Sequence, residues 1–217
     1  MSDDVYLPEA YELLKLSGIY YVVGMIDEGD LTDIHMHILM KTLTPEWNRP
    51  IHIFLNSVGG DCQEGWALID LIDWAKQNGN IVKTIGMGQI CSMASCILAA
   101  GSTGHRMLTK NCEMMIHAPI IGHMAGNLHQ IAETTIAMKA EHARHERFWV
   151  EHSKYRTVKA IRENFLGRED HWLSPDEALE HGIADAIAGT LKVEENVQTD
   201  NVPPKKKQSS KKKAKGK

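Results

Sequence analysis

The stretch Gly88-Gln89-Ile90-Cys91-Ser92-Met93-Ala94-Ser95-Cys96-Ile97-Leu98-Ala99-Ala100-Gly101 decides the reading of this chain. The apolar run from Ile81 to Met87 leads into it and predicts a strand. Gly88 to Cys91 reads as a turn. Ser92 to Ala100 is a run of small and apolar residues closing on Gly101, which predicts a helix. A strand feeding directly into a helix is the building unit of an α/β protein. It also sets Ser92 at a helix N-terminus, where unpaired N–H groups and the positive end of the dipole collect. Serine is a good helix cap, so Ser92 reads as an ordinary N-cap. The competing reading is a nucleophile whose neighbouring anion would be stabilised there.

The alternation continues outward from this stretch. Residues 8–16 predict a short helix opened by Pro8. Ile19 to Val23 predicts a strand. Leu31, Ile34, Ile38 and Leu39 carry helical spacing between Asp30 and Leu43. Ile51 to Leu55 predicts a strand, closed by a turn at Asn56-Ser57-Val58-Gly59-Gly60. Trp66, Ile69, Ile72 and Ala75 form one stripe of a helix over 62–78. Glu113 to His117 predicts a short strand. Residues 127–153 form the longest helical stretch, too polar for a core helix, so it projects from the body or packs on a neighbouring subunit. A shorter helix covers 157–165. Ser174-Pro175-Asp176-Glu177 is a capping box that starts a further helix, which stops at Gly182. Ile183 to Ile187 predicts a last strand. The order predicts an α/β fold, divided into a short N-terminal segment (1–17), one domain (18–190) and a disordered Lys-rich tail (191–217).

Composition bounds the function. The chain has 217 residues, 43% hydrophobic and 24% charged, which suits one globular domain with a tail. No apolar run approaches the roughly 20 residues of a membrane helix. Met1-Ser2-Asp3-Asp4 is acidic where a secretory leader is basic, so a soluble, cytoplasmic protein is expected. Residues 201–217 hold eight lysines and no acid, and the remaining 200 residues carry 16 basic against 28 acidic side chains. The tail could meet nucleic acid or acidic partners through its lysines, but the acidic body opposes close approach to DNA. Cys62, Cys91, Cys96 and Cys112 form no C-x-x-C pair and have no flanking histidines at finger spacing. They read as reduced thiols, and no metal or cofactor is expected. His142 and His145 share a helix face but lack an H-E-x-x-H pattern, so they read as a solvated face.

Three further features bear on chemistry. The glycines of Asn56-Ser57-Val58-Gly59-Gly60 permit close backbone approach or a tight turn. His117 closes an apolar strand and reads as a structural histidine or a general base. Asp170 lies in the polar loop 167–172 and reads as a loop acid or as a group that orients an imidazole. A nucleophile, a base, an orienting acid and oxyanion donors together make the set that acyl transfer needs.

These segments resemble the Clp protease proteolytic subunit family (ClpP). Gly88-Gln89-Ile90-Cys91-Ser92-Met93-Ala94 is similar to its G-Q-x-x-S-M-[GA] segment, and Met114-Met115-Ile116-His117-Ala118-Pro119 to its M-I-H-x-P segment. Asn56-Ser57-Val58-Gly59-Gly60 is similar to its N-S-P-G-G turn. Asp170-His171-Trp172-Leu173-Ser174-Pro175-Asp176-Glu177-Ala178, with His181-Gly182-Ile183-Ala184-Asp185, is similar to its C-terminal pattern. The segments occur in family order over roughly residues 18–188.

The resemblance implies a ClpP/crotonase-type α/β fold of stacked β-β-α units, with 127–153 as a projecting handle helix. It implies a serine endopeptidase with Ser92 as nucleophile, His117 as base and Asp170 as orienting acid. Gly60 and Met93 would supply the oxyanion N–H groups. Gly122 and Gly126 would belong to a strand that pairs with polypeptide substrates. Implied partners are further copies in a heptameric ring, stacked in pairs, and a hexameric AAA+ unfoldase. The chain departs from the family at Val58 for proline, at Asp61 beside the oxyanion turn and at Glu169 where arginine is usual before the acid. His52 and Phe54 stand where unfoldase-docking aromatics are common, so docking would differ. Three other readings compete: a non-catalytic ring subunit, a crotonase-type acyl-CoA enzyme, and a processing protease working without an unfoldase.

Overall fold

The computed structural model describes residues 7–44, 50–120, 122 and 125–188. The Lys-rich tail lies outside them. In chain order the elements are α1 (Leu7–Leu16), β1 (Ile19–Ile26), α2 (Thr32–Leu43), β2 (Ile51–Gly60), α3 (Cys62–Gln77), β3 (Val82–Cys91) and α4 (Met93–Ala100). There follow β4 (Arg106–Thr109), β5 (Glu113–Ile116), α5 (Leu128–His152), α6 (Val158–Asn164), β6 (His171–Leu173), α7 (Pro175–Glu180) and β7 (Ala186–Ala188). The protein is α/β, as the strand–helix alternation predicts. Among the described residues no helix is long and apolar enough to cross a membrane.

The sheet runs β1-β2-β3-β4-β7, with all of these neighbours parallel. Parallel strands need both faces covered, and their residues are correspondingly apolar. Ile51, Ile53 and Leu55 of β2 are all fully buried. On the helical side α4 is buried along its whole length, which its small, uncharged residues allow. β3 has two successive neighbours on one side. Thr84 to Gly86 pair with β4, and Gln89 to Cys91 pair with β5. β6 then adds to β5 in antiparallel register.

Two predicted turns are strand. Asn56–Gly60 and Gly88–Cys91 extend β2 and β3. Glycine there serves close packing rather than chain reversal: a Cβ on Gly88 would sit 2.9 Å from Asn56 Oδ1. The sequence reading has no strand at β4 or β6. Each is short, and β4 opens with a charged residue. That residue, Arg106, forms a two-point ion pair with Asp185, Nη2 to Oδ1 at 2.6 Å and Nε to Oδ2 at 2.9 Å. The backbone N–H groups of Gly104 and Arg106 also donate to Oδ2 of Asp185. This knot ties β4 to the entry of β7.

The long polar helix α5 is corrected in part. Its first half is exposed, with Leu128 79% and Ile136 68% accessible. Its second half is core: His145, Glu146, Phe148 and Trp149 are buried. Averaging over a polar helix conceals that one turn of aromatic residues anchors it. The solvated-face reading fails at His145, which is buried, while His142 is half-buried with Nε2 3.0 Å from the carboxylate of Glu146.

Candidate active site

β3 delivers the chain to Ser92, which adopts φ 57° and ψ −123°. It is the one non-glycine residue with positive φ among those described. Such a conformation costs on the order of 1–3 kcal/mol and persists only where the surroundings impose it. Ser92 stands at the N-cap position of α4, yet its side chain makes no capping hydrogen bond. Its Oγ lies instead 2.8 Å from Nε2 of His117. The ordinary-cap reading of Ser92 therefore fails on geometry.

The elbow is fixed from β5. The Ser92 N–H donates to the carbonyl of Met115 at 2.9 Å. The Ser95 hydroxyl reaches the same carbonyl at 2.9 Å and that of Ile90 at 3.1 Å. Met115 lies two residues before His117, so these contacts set the distance between hydroxyl and imidazole.

Asp170 is near but not engaged. β5 and β6 pair Ile116 with His171 in antiparallel register, and one further step would set His117 opposite Asp170. Asp170 is exposed, and among the described residues no hydrogen bond or ion pair joins its carboxylate to His117. Its charge reaches Cys91: burial pushes that thiol up to about 11, and Asp170 adds to the shift.

The oxyanion candidates sit beside the elbow. Met93 is the first residue of α4, where a backbone N–H has no partner within the helix. Gly60 ends β2 at φ 152°. Its neighbour Gly59, at φ 87°, comes closer still. A Cβ on Gly59 would lie 2.7 Å from Ser92 Cβ and 3.0 Å from the Met93 nitrogen. Only glycine fits that position. The paired glycines carried this signal in the sequence. Asp61 does not confront the site. Its carboxylate caps α3, accepting from Gln63 N at 2.7 Å and Glu64 N at 3.0 Å.

Gly122 and Gly126 are both exposed, and neither lies in a strand. Neither described position belongs to the substrate-pairing strand expected around them, and residues 121, 123 and 124 beside them lie outside those described.

A cavity of about 230 Å³ opens on Ser92 and His117. Its walls include residues that the sequence did not suggest: Cys62 and Cys96 from α3 and α4, and His145 and Trp149 from α5. They come together only by tertiary packing, so no local pattern announces them. All four cysteines are free. Burial pushes the Cys62 thiol up to about 11, with Glu141 adding to it, and pushes Cys96 well above the ordinary range. Neither is a ready thiolate, whereas the Ser92 hydroxyl has an imidazole in contact.

A serine on a strained strand-to-helix elbow, with an imidazole on its hydroxyl and a helix N-terminus alongside, has the parts for acyl transfer. A model of the family described as Clp protease matches residues 7–190. The ATP-dependent Clp protease proteolytic subunit of Streptococcus suis (strain 98HAH33) is 29% identical over 189 residues, covering 85% of this chain and 91% of that protein. The protein of the same name from Streptococcus pyogenes serotype M5 (strain Manfredo) is 27% identical over 183 residues, covering 82% and 88%. The chain belongs to the Clp protease family.

Proposed function

We propose that this chain is a serine endopeptidase and the proteolytic subunit of a Clp-type complex. The observation that carries the reading is the 2.8 Å contact between Ser92 Oγ and His117 Nε2 at a positive-φ elbow. In the proposed reaction the Ser92 oxygen attacks the scissile carbonyl carbon while Nε2 takes the hydroxyl proton. The tetrahedral oxyanion is held by the N–H groups of Gly60 and Met93. The C–N bond then breaks, and the imidazolium gives its proton to the leaving amine. Water repeats the sequence on the acyl-enzyme with the same base. Asp170 orients the imidazole and stabilises its charged form once its carboxylate reaches the other ring nitrogen.

Assembly with further copies is part of the reading. The exposed half of α5 carries Leu128, Ile131 and Ile136, and β1 exposes Tyr21, Val23 and Met25. Such apolar surfaces suit burial between subunits of a ring. A hexameric AAA+ unfoldase is the proposed source of extended polypeptide.

A second reading, a structural ring subunit, is favoured by the absence of contact between Asp170 and His117. A fluorophosphonate probe on the full chain separates the two, with intact mass as readout. The peptidase reading expects one adduct on the wild type, mapped to Ser92, and none on Ser92→Ala. Assembled wild type that takes no adduct overturns it in favour of the structural subunit.

A further inference from the structure

A second cluster of reactive side chains shares the cavity wall with Ser92 and His117. Cys62, Glu141 and His145 each offer one ligand atom, and the three atoms lie within 4.8 Å of one another. Glu141 and His145 are one turn apart on α5, and Cys62 opens α3. Both Cys62 and His145 line the cavity.

The cluster is braced from outside, as metal ligands are. Trp66 Nε1 donates to Glu141 Oε1 at 2.5 Å. Arg144 Nη1 lies 3.5 Å from Glu141 Oε2. His145 Nδ1 lies 3.1 Å from the Glu141 carbonyl oxygen, and its ring meets Trp66 edge-on at 4.9 Å. A further observation concerns the same cavity. Trp149 lines the cavity and is fully buried, and its indole N–H has no hydrogen-bond partner among the described residues. A buried donor of this kind calls for an acceptor, such as a water or hydroxide held on an ion.

The donor set selects the ion. Magnesium and calcium take oxygen ligands, whereas sulfur, imidazole and carboxylate together suit zinc. Three protein ligands leave a fourth position for water or an incoming group. We propose that Cys62, Glu141 and His145 bind a zinc-class divalent cation in the wall of this cavity, and that the loaded site closes Ser92 to substrates. Binding displaces the Cys62 thiol proton to solvent as the sulfur–metal bond forms. The cavity, about 230 Å³, has little room for both a hydrated ion and a substrate side chain. The closing of Ser92 rests on the peptidase reading, whereas the metal site does not.

The test is titration of the full-length, reduced protein with cobalt(II), followed by absorbance. The expected result is one equivalent bound, with a thiolate-to-cobalt charge-transfer band in the near ultraviolet and intense tetrahedral d–d bands, both bleached by zinc. Cys62→Ser removes the charge-transfer band, Cys96→Ser keeps it, and His145→Gln weakens the d–d bands. Trp66→Phe, which takes the outer hydrogen bond from Glu141 and part of the ring contact with His145, lowers cobalt affinity about tenfold. No charge-transfer band in wild type, or one that survives Cys62→Ser, overturns the site. One equivalent of zinc should also block fluorophosphonate labelling of Ser92, with recovery on chelation, and leave Cys62→Ser labelled. Zinc that binds without altering labelling overturns the closing of Ser92. Metal-free wild type that takes no probe counts against the peptidase reading instead, and the cobalt band still decides the metal site.

Discussion

Asp170 stands one register step beyond the Ile116–His171 pair, which would set it opposite His117, yet its carboxylate makes no hydrogen bond to the imidazole. Backbone pairing alone therefore brings Asp170 near His117, and the proposed triad needs a side-chain movement to complete it. Asp170→Asn should slow acylation of Ser92 by at least about 100-fold, because an amide holds the wrong tautomer and cannot stabilise imidazolium. Stopped-flow acylation by an activated ester measures this. A change below about threefold would mean that Ser92 and His117 act as a dyad.

Gly59 is the tightest backbone contact at the elbow. Gly59→Ala would press a methyl group against Cys91 O, Ser92 Cβ and Met93 N, all within 3.0 Å, at φ 87°. Loss of labelling at Ser92 is expected, with a stability loss of about 2–3 kcal/mol in urea unfolding. A labelled and fully stable variant would show that β2 can draw back from α4 without cost.

Asp61 is a helix cap rather than a charge aimed at the oxyanion. Asp61→Asn should keep both stability and acylation rate, because asparagine caps equally well. Asp61→Ala should cost about 1 kcal/mol through the loss of bonds to Gln63 and Glu64. Acylation that rises sharply in Asp61→Asn would instead mark the carboxylate as repelling the developing anion.

The Arg106–Asp185 pair gives a pH signature. Burial alone would raise the Asp185 carboxyl, but the hydrogen bonds and charge of Arg106 outweigh it, and the value falls below the ordinary one. A folded-state value below the unfolded one stabilises the fold above the unfolded value, near pH 3.9. That contribution is lost as pH falls through the folded value. Asp185→Asn should therefore cost about 3 kcal/mol at pH 7 and flatten the acid limb of the stability curve. An unchanged acid limb would place the loss at other carboxylates.

The sequence made Ser92 and His117 legible because each sits in a short local pattern, and the strand–helix alternation carried the fold class. Glycine misled the boundaries: at Gly59 and Gly88 it answers steric contact with a distant strand, whereas a local reading takes it for a turn. β4 escaped notice because the partner that neutralises Arg106 is Asp185, at the other end of the domain. The whole of α5 reads as projecting or facing a neighbouring subunit because Phe148 and Trp149 are few among many charges, although they decide the burial of its second half. Cys62, Glu141 and His145 obey no metal-binding spacing, since two helices far apart in sequence supply them.

The forked strand β3 has a mechanical consequence. Below the fork it is clamped by β4, and above it the pairs Gln89–Glu113, Ile90–Met114 and Cys91–Met115 join it to the β5–β6 ribbon. His117 and Asp170 both ride at the end of that ribbon, and Ser92, at the head of α4, is tied to it through Met115. The ribbon is thus a lever hinged on a few rungs of ladder. A force that tilts it carries His117 and Asp170 together and, through the Met115 carbonyl that Ser92 N–H and Ser95 Oγ both bond, pulls on the Ser92 elbow as well.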